Sequence, residues 1–285
     1  MKLRLGIGSW ADPEYRELLR PPPDVKASER LKAYAAHFAH VEVNSTYYAL
    51  PRATATARWV KQTPEGFTFN VKLHRAFSQN PRKAATEGAW AEKLLVCTRP
   101  LIETNRFGAF FLVMPPSFGP ENHALDELAP LAKKLRPQPL AVELRDRAWI
   151  EGDARVRTLE FFREHELVWI AVDMPRLKSS SLMPAIDEVT HPRIAYLRLH
   201  GRNRKYLQSE SEAERHAYVY RPAELRGISD RVLALGKRAK EVHVIANNHA
   251  HDYAPRTALA LQALLGGSRE KKRTAARTVP GMPKR

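Results

Sequence analysis

Ionisable and amide side chains recur in this sequence as pairs two residues apart, each at the end of a short run of β-branched and apolar residues. Glu42 with Asn44, Lys72 with His74, Glu143 with Arg145, Arg198 with His200 and Asn247 with His249 follow the pattern, and Asp173 closes a further run. Side chains two apart on a strand share a face. If the runs are neighbouring strands, these groups converge at one end of the sheet, and burying so many charges without pairing or using them would be costly. Glu42, Glu143 and His200 are candidate acid–base groups, the imidazole because it titrates near neutrality. Lys72, Arg145 and Arg198 are candidate anion holders, guanidinium matching phosphate and carboxylate geometry. Asn44, Asp173 and Asn247 offer hydrogen bonds to a polar ligand, and Trp10 and Tyr47 could wall the pocket. Structural roles compete at each position: a buried ion pair of Glu42 with Lys72 or Arg198, a turn cap at Asp173 before Pro175, and core packing for the aromatic residues.

The elements that must position these groups are legible from periodicity. Strands are expected over 3–9, 41–45, 67–74, 108–114, 140–145, 168–173, 194–200 and 242–247. Between them, apolar stripes at helical spacing run through Leu31, Tyr34, Ala35 and Phe38, through Leu125, Leu128, Ala132 and Leu135, through Leu225, Ile228, Val232 and Leu235, and through Leu261, Leu264 and Leu265. The last is expected to stop at Gly266-Gly267. Strand–helix alternation implies parallel strands. Eight such units in about 265 residues fit an α/β (β/α)8 TIM barrel, whose active sites lie at the C-terminal ends of the strands. An open doubly wound sheet competes, but the chain has neither a Gly-x-Gly-x-x-Gly nor a Walker phosphate loop. One barrel domain over 1–266 and a disordered basic tail over 267–285 are expected.

Several ordered motifs support that architecture. Gly8-Ser9-Trp10, Val41-Glu42-Val43-Asn44-Ser45-Thr46-Tyr47-Tyr48, Thr63-Pro64-x-Gly66-Phe67-x-Phe69-x-Val71-Lys72 and Pro115-Pro116-Ser117-Phe118 come in that order. Val142-Glu143-x-Arg145, Tyr196-x-Arg198-x-His200-Gly201 and Asn247-Asn248-His249 follow. Together they resemble the YecE-like family, domain of unknown function 72, from the first strand to about Gly266. The resemblance implies a TIM barrel and hands over no reaction. Val113-Met114 stands where the family pattern suggests Gln-Leu, and Ala246 where it suggests an aromatic residue.

Charge narrows the function classes. The chain holds 47 Lys and Arg against 31 Asp and Glu, a formal +16. Residues 266–285 carry seven basic groups and one acid, a net +6, which leaves +10 on the rest. An anionic partner follows from this balance. No apolar run approaches the ~20 residues needed to span a bilayer, so no membrane partner is expected. The single cysteine, Cys97, permits no internal disulfide, and a reducing, cytoplasmic setting fits. Glu42, His74, Glu143, Asp173 and His200 would supply ligands for a divalent ion, but Lys72, Arg145 and Arg198 would repel it, so no metal or other cofactor is assigned. The leading expectation is acid–base chemistry, hydrolysis or isomerisation, on a small phosphorylated or carboxylated molecule. The alternatives are a nucleic-acid-binding or phosphodiester-cleaving barrel and a ligand-binding protein without turnover.

Overall fold

The computed structural model describes residues 1–11, 26–177 and 181–277. Eight parallel strands close into a barrel in sequence order: β1 (Lys2–Ile7), β2 (His40–Val43), β3 (Thr68–Lys72), β4 (Phe107–Val113), β5 (Leu140–Glu143), β6 (Leu167–Asp173), β7 (Ile194–Leu199) and β8 (Glu241–Ala246). Closure is made by β1 against β8, in register from Lys2 opposite Glu241 to Ile7 opposite Ala246. The (β/α)8 expectation is met. β6 and β7 are buried at every position, as strands of a parallel sheet covered by helices must be.

All eight expected strands are present, but seven end one or two residues earlier than the sequence suggested. The ladder stops where the chain turns away at the mouth, although single bonds persist beyond it: His200 N–H donates to the Asp173 carbonyl (2.9 Å) and Asn247 N–H to that of Leu199 (2.8 Å). Asn44, Arg145, His200 and Asn247 therefore sit just past their strands, held by the sheet yet free of its register.

The outer layer includes helices Ala53–Gln62, Trp90–Glu103, Ala129–Leu135, Ala154–Glu164, Pro222–Leu235 and Tyr253–Arg277. Pro222 opens its helix at a position where a missing N–H costs nothing. The final helix continues through Gly266 and Gly267 instead of stopping there. Glycine costs about 1 kcal/mol in a helix interior but does not forbid it, and Arg269, Glu270, Lys271, Lys272, Ala275 and Ala276 beyond are strong helix formers. The part of the expected tail past 277 lies outside the described residues. Among the described residues, no helix is long and apolar enough to cross a membrane.

The barrel interior carries polar layers below its mouth. Arg4 pairs with Glu241 (3.2 Å), and Asn70 Nδ2 meets His243 Nδ1 at 3.0 Å. The Tyr196 ring meets those of Phe111 (6.4 Å) and His243 (5.5 Å), the latter its register partner on β8, and Arg198 lies over the Phe111 ring. These rings are the floor on which the mouth is built.

Candidate functional site

Arg198 is the centre of the mouth. Its side chain is 3% exposed, yet it is surrounded by acceptors: Nε donates to Glu42 Oε1 (3.0 Å), Nη2 to Glu42 Oε2 (3.0 Å) and Asn247 Oδ1 (3.1 Å), and Nη1 to Glu143 Oε2 (2.6 Å). Four bonds leave little of its five-donor capacity for a ligand. Tyr196 Oη also donates to Glu42 Oε1 (2.6 Å), so the Glu42 carboxylate accepts three bonds and is fully buried. The ion pair of Glu42 with Arg198 anticipated as a competing role is thus present.

Glu143 is equally engaged. Arg145 Nε donates to its Oε1 (2.9 Å), and His200 Nε2 approaches the carboxylate at 3.3 Å. Burial alone would push this carboxyl up, but Arg198, His200 and Arg145 outweigh it and hold it well below the usual range, so it is ionised. His200 is fully buried, with Nδ1 3.2 Å from Asn247 Nδ2. Because Asn247 Oδ1 already accepts from Arg198, the amide must present its NH2 to His200 Nδ1. That fixes the Nε2–H tautomer, which donates to Glu143. Burial lowers the His200 pKa to about 4, against the pull of Glu143. Glu42, Glu143 and His200 therefore form a closed charge network in which each carboxylate accepts three hydrogen bonds and both His200 ring nitrogens are engaged. The acid–base part expected of them is not what this geometry offers; they anchor two arginines.

What faces solvent is the rim above this network. A cavity of about 210 Å³ is lined by Gly8, Ser9, Asn44, Tyr48, Lys72, Arg145, Arg198, Glu212, Asn247 and His249. Lys72 lies over the Tyr47 ring (4.7 Å), and no carboxylate among the described residues is within 4.0 Å of its ammonium. Burial, followed by Arg198, lowers its pKa to about 8. Arg145 uses Nε on Glu143 and leaves both Nη groups without a partner among the described residues. Asn44 Nδ2 donates to the Gly8 carbonyl (2.7 Å), while its buried Oδ1 has no partner among them. The three cations around Glu42 and Glu143 outnumber those two carboxylates by one.

Gly8 keeps this space open, since a Cβ there would lie 2.7 Å from Asn44 Nδ2 and 3.1 Å from Asn247 Oδ1. Gly8→Ala is expected to cost about 1–3 kcal/mol through overpacking, read as a lower urea midpoint with unchanged slope.

The remaining candidates lie elsewhere. Asp173 is 3% exposed and saturated by Arg202 (2.8 Å from both Nε and Nη2), Arg231 (2.8 Å) and Tyr220 (2.9 Å). It fastens the segment after β7 and helix Pro222–Leu235 to the barrel, and so does not contact the cavity. Trp10 packs edge-on against Trp59 (5.3 Å) and Phe69 (6.4 Å), the core role. His74 caps the short helix Arg75–Gln79 by accepting from Ala76 N–H and stacks on Trp90. Gly201, with φ +86°, is enclosed: Tyr218 lies where a Cβ would be, and Gly201 N–H donates to Tyr220 Oη. The 201–221 segment is pinned to the barrel through Arg202, through His216 on the His200 carbonyl and through Tyr218, whose carbonyl accepts from Asn248.

A larger cavity of about 770 Å³ lies beside Asp173, Arg202 and Arg231. Asp173 is consumed by the two arginines, and Arg231 is further held by Asp187. The smaller cavity is therefore the better site.

Sequence reasoning missed Ser9, Glu212 and His216, while Tyr48, an aromatic residue the sequence offered as a pocket wall beside Tyr47, does line the cavity. Ser9 follows the end of its strand closely, in a loop of the kind where barrel sites are built. Glu212 and His216 carried a signal, a carboxylate and an imidazole one helical turn apart. His249-Ala250-His251 is also a His-x-His spacing, although His251, at φ +50°, packs against Tyr253 instead.

Comparison with known proteins agrees with the fold. The chain is 25% identical over 254 residues to UPF0759 protein YunF of Bacillus subtilis, covering 86% of this chain and 88% of that protein. It is 31% identical over 129 residues to UPF0759 protein YecE of Escherichia coli K12, 44% and 43% of the two chains. Crystal structures of DUF72 family proteins from Enterococcus faecalis (30% identity, TM-score 0.82, covering 93% of this chain and 95% of that one) and Thermotoga maritima (28%, 0.79, 93% and 100%) superpose closely. The sequence profile described as "Protein of unknown function DUF72" matches residues 4–282, nearly the whole length, and the chain belongs to that family.

Proposed function

We propose that the barrel mouth binds a small anionic molecule carrying phosphate or carboxylate and supports hydrolysis or isomerisation of it. The observation that carries this reading is that Lys72, with no carboxylate within 4.0 Å among the described residues, and the open Nη groups of Arg145 line one cavity whose two buried carboxylates are already matched by Arg198 and Arg145, leaving one cation in excess. Asn44 Oδ1 would accept from a ligand hydroxyl or protonated oxygen, satisfying an otherwise orphaned acceptor. A volume near 210 Å³ suits a small molecule better than a nucleic-acid strand. The group placed to move a proton is Lys72, because a pKa of about 8 lies in the working range for general acid–base catalysis. Glu42, Glu143, His200 and Asn247 hold Arg198 and Arg145 in place. Supplying that rigidity beforehand spares a ligand the ordering cost.

Calorimetric titration with inorganic phosphate, pyrophosphate and small hydroxycarboxylates tests the binding. A charge-assisted hydrogen bond contributes about 1.5–3 kcal/mol, so Lys72→Met and Arg145→Ala are each expected to weaken the best ligand by about 10- to 100-fold. Unchanged affinity in both would overturn the reading. Product formation from a panel of small phosphate esters and hydroxycarboxylates separates an enzyme from a sensor. The affinity should also fall as pH rises through 8, where Lys72 loses its charge, and Lys72→Arg should remove that dependence.

A further inference from the structure

The geometry points to a divalent-metal site at the rim of the mouth, formed by Glu212, His216 and His249 and suited to zinc. One potential ligand atom from each of these three residues lies within 4.8 Å of the other two. Local structure brings them together. Ser211 caps the short helix Glu212–Arg215 by accepting from Glu214 N–H, and the bond from His216 N–H to the Glu212 carbonyl sets those two residues one turn apart. His249 follows β8, and its ring centroid lies 4.8 Å from that of His216.

The second observation is the tautomer of each imidazole. His216 Nδ1 is 2.9 Å from the His200 carbonyl, and His249 Nδ1 is 2.8 Å from the Asn247 carbonyl. A carbonyl only accepts, so both Nδ1 atoms carry the proton and both Nε2 atoms carry a lone pair. Fixing a ligating histidine through a hydrogen bond from its other nitrogen is how protein metal sites orient their ligands. His216 is 1% exposed, and its Nε2 makes no hydrogen bond among the described residues. His249 Nε2 is 3.8 Å from Glu212 Oε1, too long for a hydrogen bond but close to the separation two ligands of one ion would have. Glu212 is 70% exposed and can swing inward at little cost.

Two imidazoles and one carboxylate form a three-ligand set that zinc uses when a fourth position stays open, with bonds of about 2.0–2.2 Å. Glu212 and His249 both line the cavity that holds Lys72 and Arg145, so the open position faces the anion pocket. Those two cations disfavour a bare ion but favour one whose fourth ligand is anionic. The ligands are not those named from sequence: Glu42, Glu143 and Asp173 are committed to arginines.

The test uses the full chain, freed of any affinity tag and stripped with chelator, titrated with zinc chloride alone in a buffer without phosphate. One equivalent is expected to bind, and cobalt(II) in its place should give the visible absorption of a four-coordinate ion. His249→Gln and Glu212→Gln are each expected to weaken zinc by at least tenfold. Both positions are partly exposed, so folding, followed by circular dichroism, should hold where His216→Asn could fail. Because no phosphate or carboxylate ligand is present, the outcome is independent of the pocket reading above. Less than one-fifth of an equivalent bound, or wild-type affinity in both variants, overturns the site.

Discussion

Acidified from pH 7 to pH 4 in the presence of chelator, the protein is expected to lose most of its stability, with the decline starting near pH 6.5. Burial is the first cause of the low histidine pKa values, about 4 for His200 and about 2 for His216, the latter lowered further by His200. Between 6.5 and 4 each takes a proton when unfolded but not when folded. Stability is therefore fully present above 6.5 and falls as pH drops towards the folded pKa. Each contributes about 1.4 kcal/mol per pH unit. Two acting over that interval remove on the order of 6 kcal/mol, comparable with the whole stability of a typical domain at about 5–15 kcal/mol. His191, held at about 4 but less buried, adds to the slope. Glu143, which burial would raise but Arg198, His200 and Arg145 hold well below the usual carboxylate range, adds a loss only under stronger acid, as pH falls through that range. Thermal midpoints at half-unit steps of pH would show this, and His200→Asn, less stable at pH 7, should have the shallower dependence. A flat midpoint between pH 7 and 5 would sink the reading that these imidazoles are neutral.

Arg198→Met is expected to be the most damaging single substitution in the mouth. It leaves Glu42 and Glu143 buried at 0% and 1% exposure with their shared counter-charge gone, a change that costs about 3–5 kcal/mol. Adding Glu42→Gln to Arg198→Met should return part of the loss, although Glu42→Gln alone destabilises. That opposite sign in a double-mutant cycle distinguishes a neutralising role for Arg198 from simple packing. If the double variant is merely the sum of the singles, Glu42 and Arg198 do not act as a unit. The Arg198 guanidinium, whose own pKa is raised by both carboxylates, stays charged throughout.

The barrel was legible because its signals are local. Eight short apolar runs alternate with helical stripes, and each run is a real strand. The convergence of Glu42, Glu143, Arg198, His200 and Asn247 was legible for the same reason, since a two-residue spacing places side chains on one face. What periodicity could not supply was pairing. Whether Arg198 meets a ligand or two carboxylates depends on which strands are neighbours across the barrel and on distances of an ångström. Asp173 shows the limit clearly: it ends a strand like the others, yet Arg202 and Arg231, 29 and 58 residues later, claim it. The Glu212–His216 turn was written in the sequence, but its partner His249 lies on the far side of β8 and only the closed barrel brings it near.

His200 joins two neighbourhoods through different atoms. Its ring belongs to the Glu143–Asn247 network, while its carbonyl orients His216. A perturbation at the rim therefore reaches His200 both through its carbonyl and through the His216 ring, 5.1 Å from its own. That makes the His200 ring a natural spectroscopic reporter: with nitrogen-15 in its imidazole, occupancy at the rim should register as a shift in a resonance from a group no solute touches.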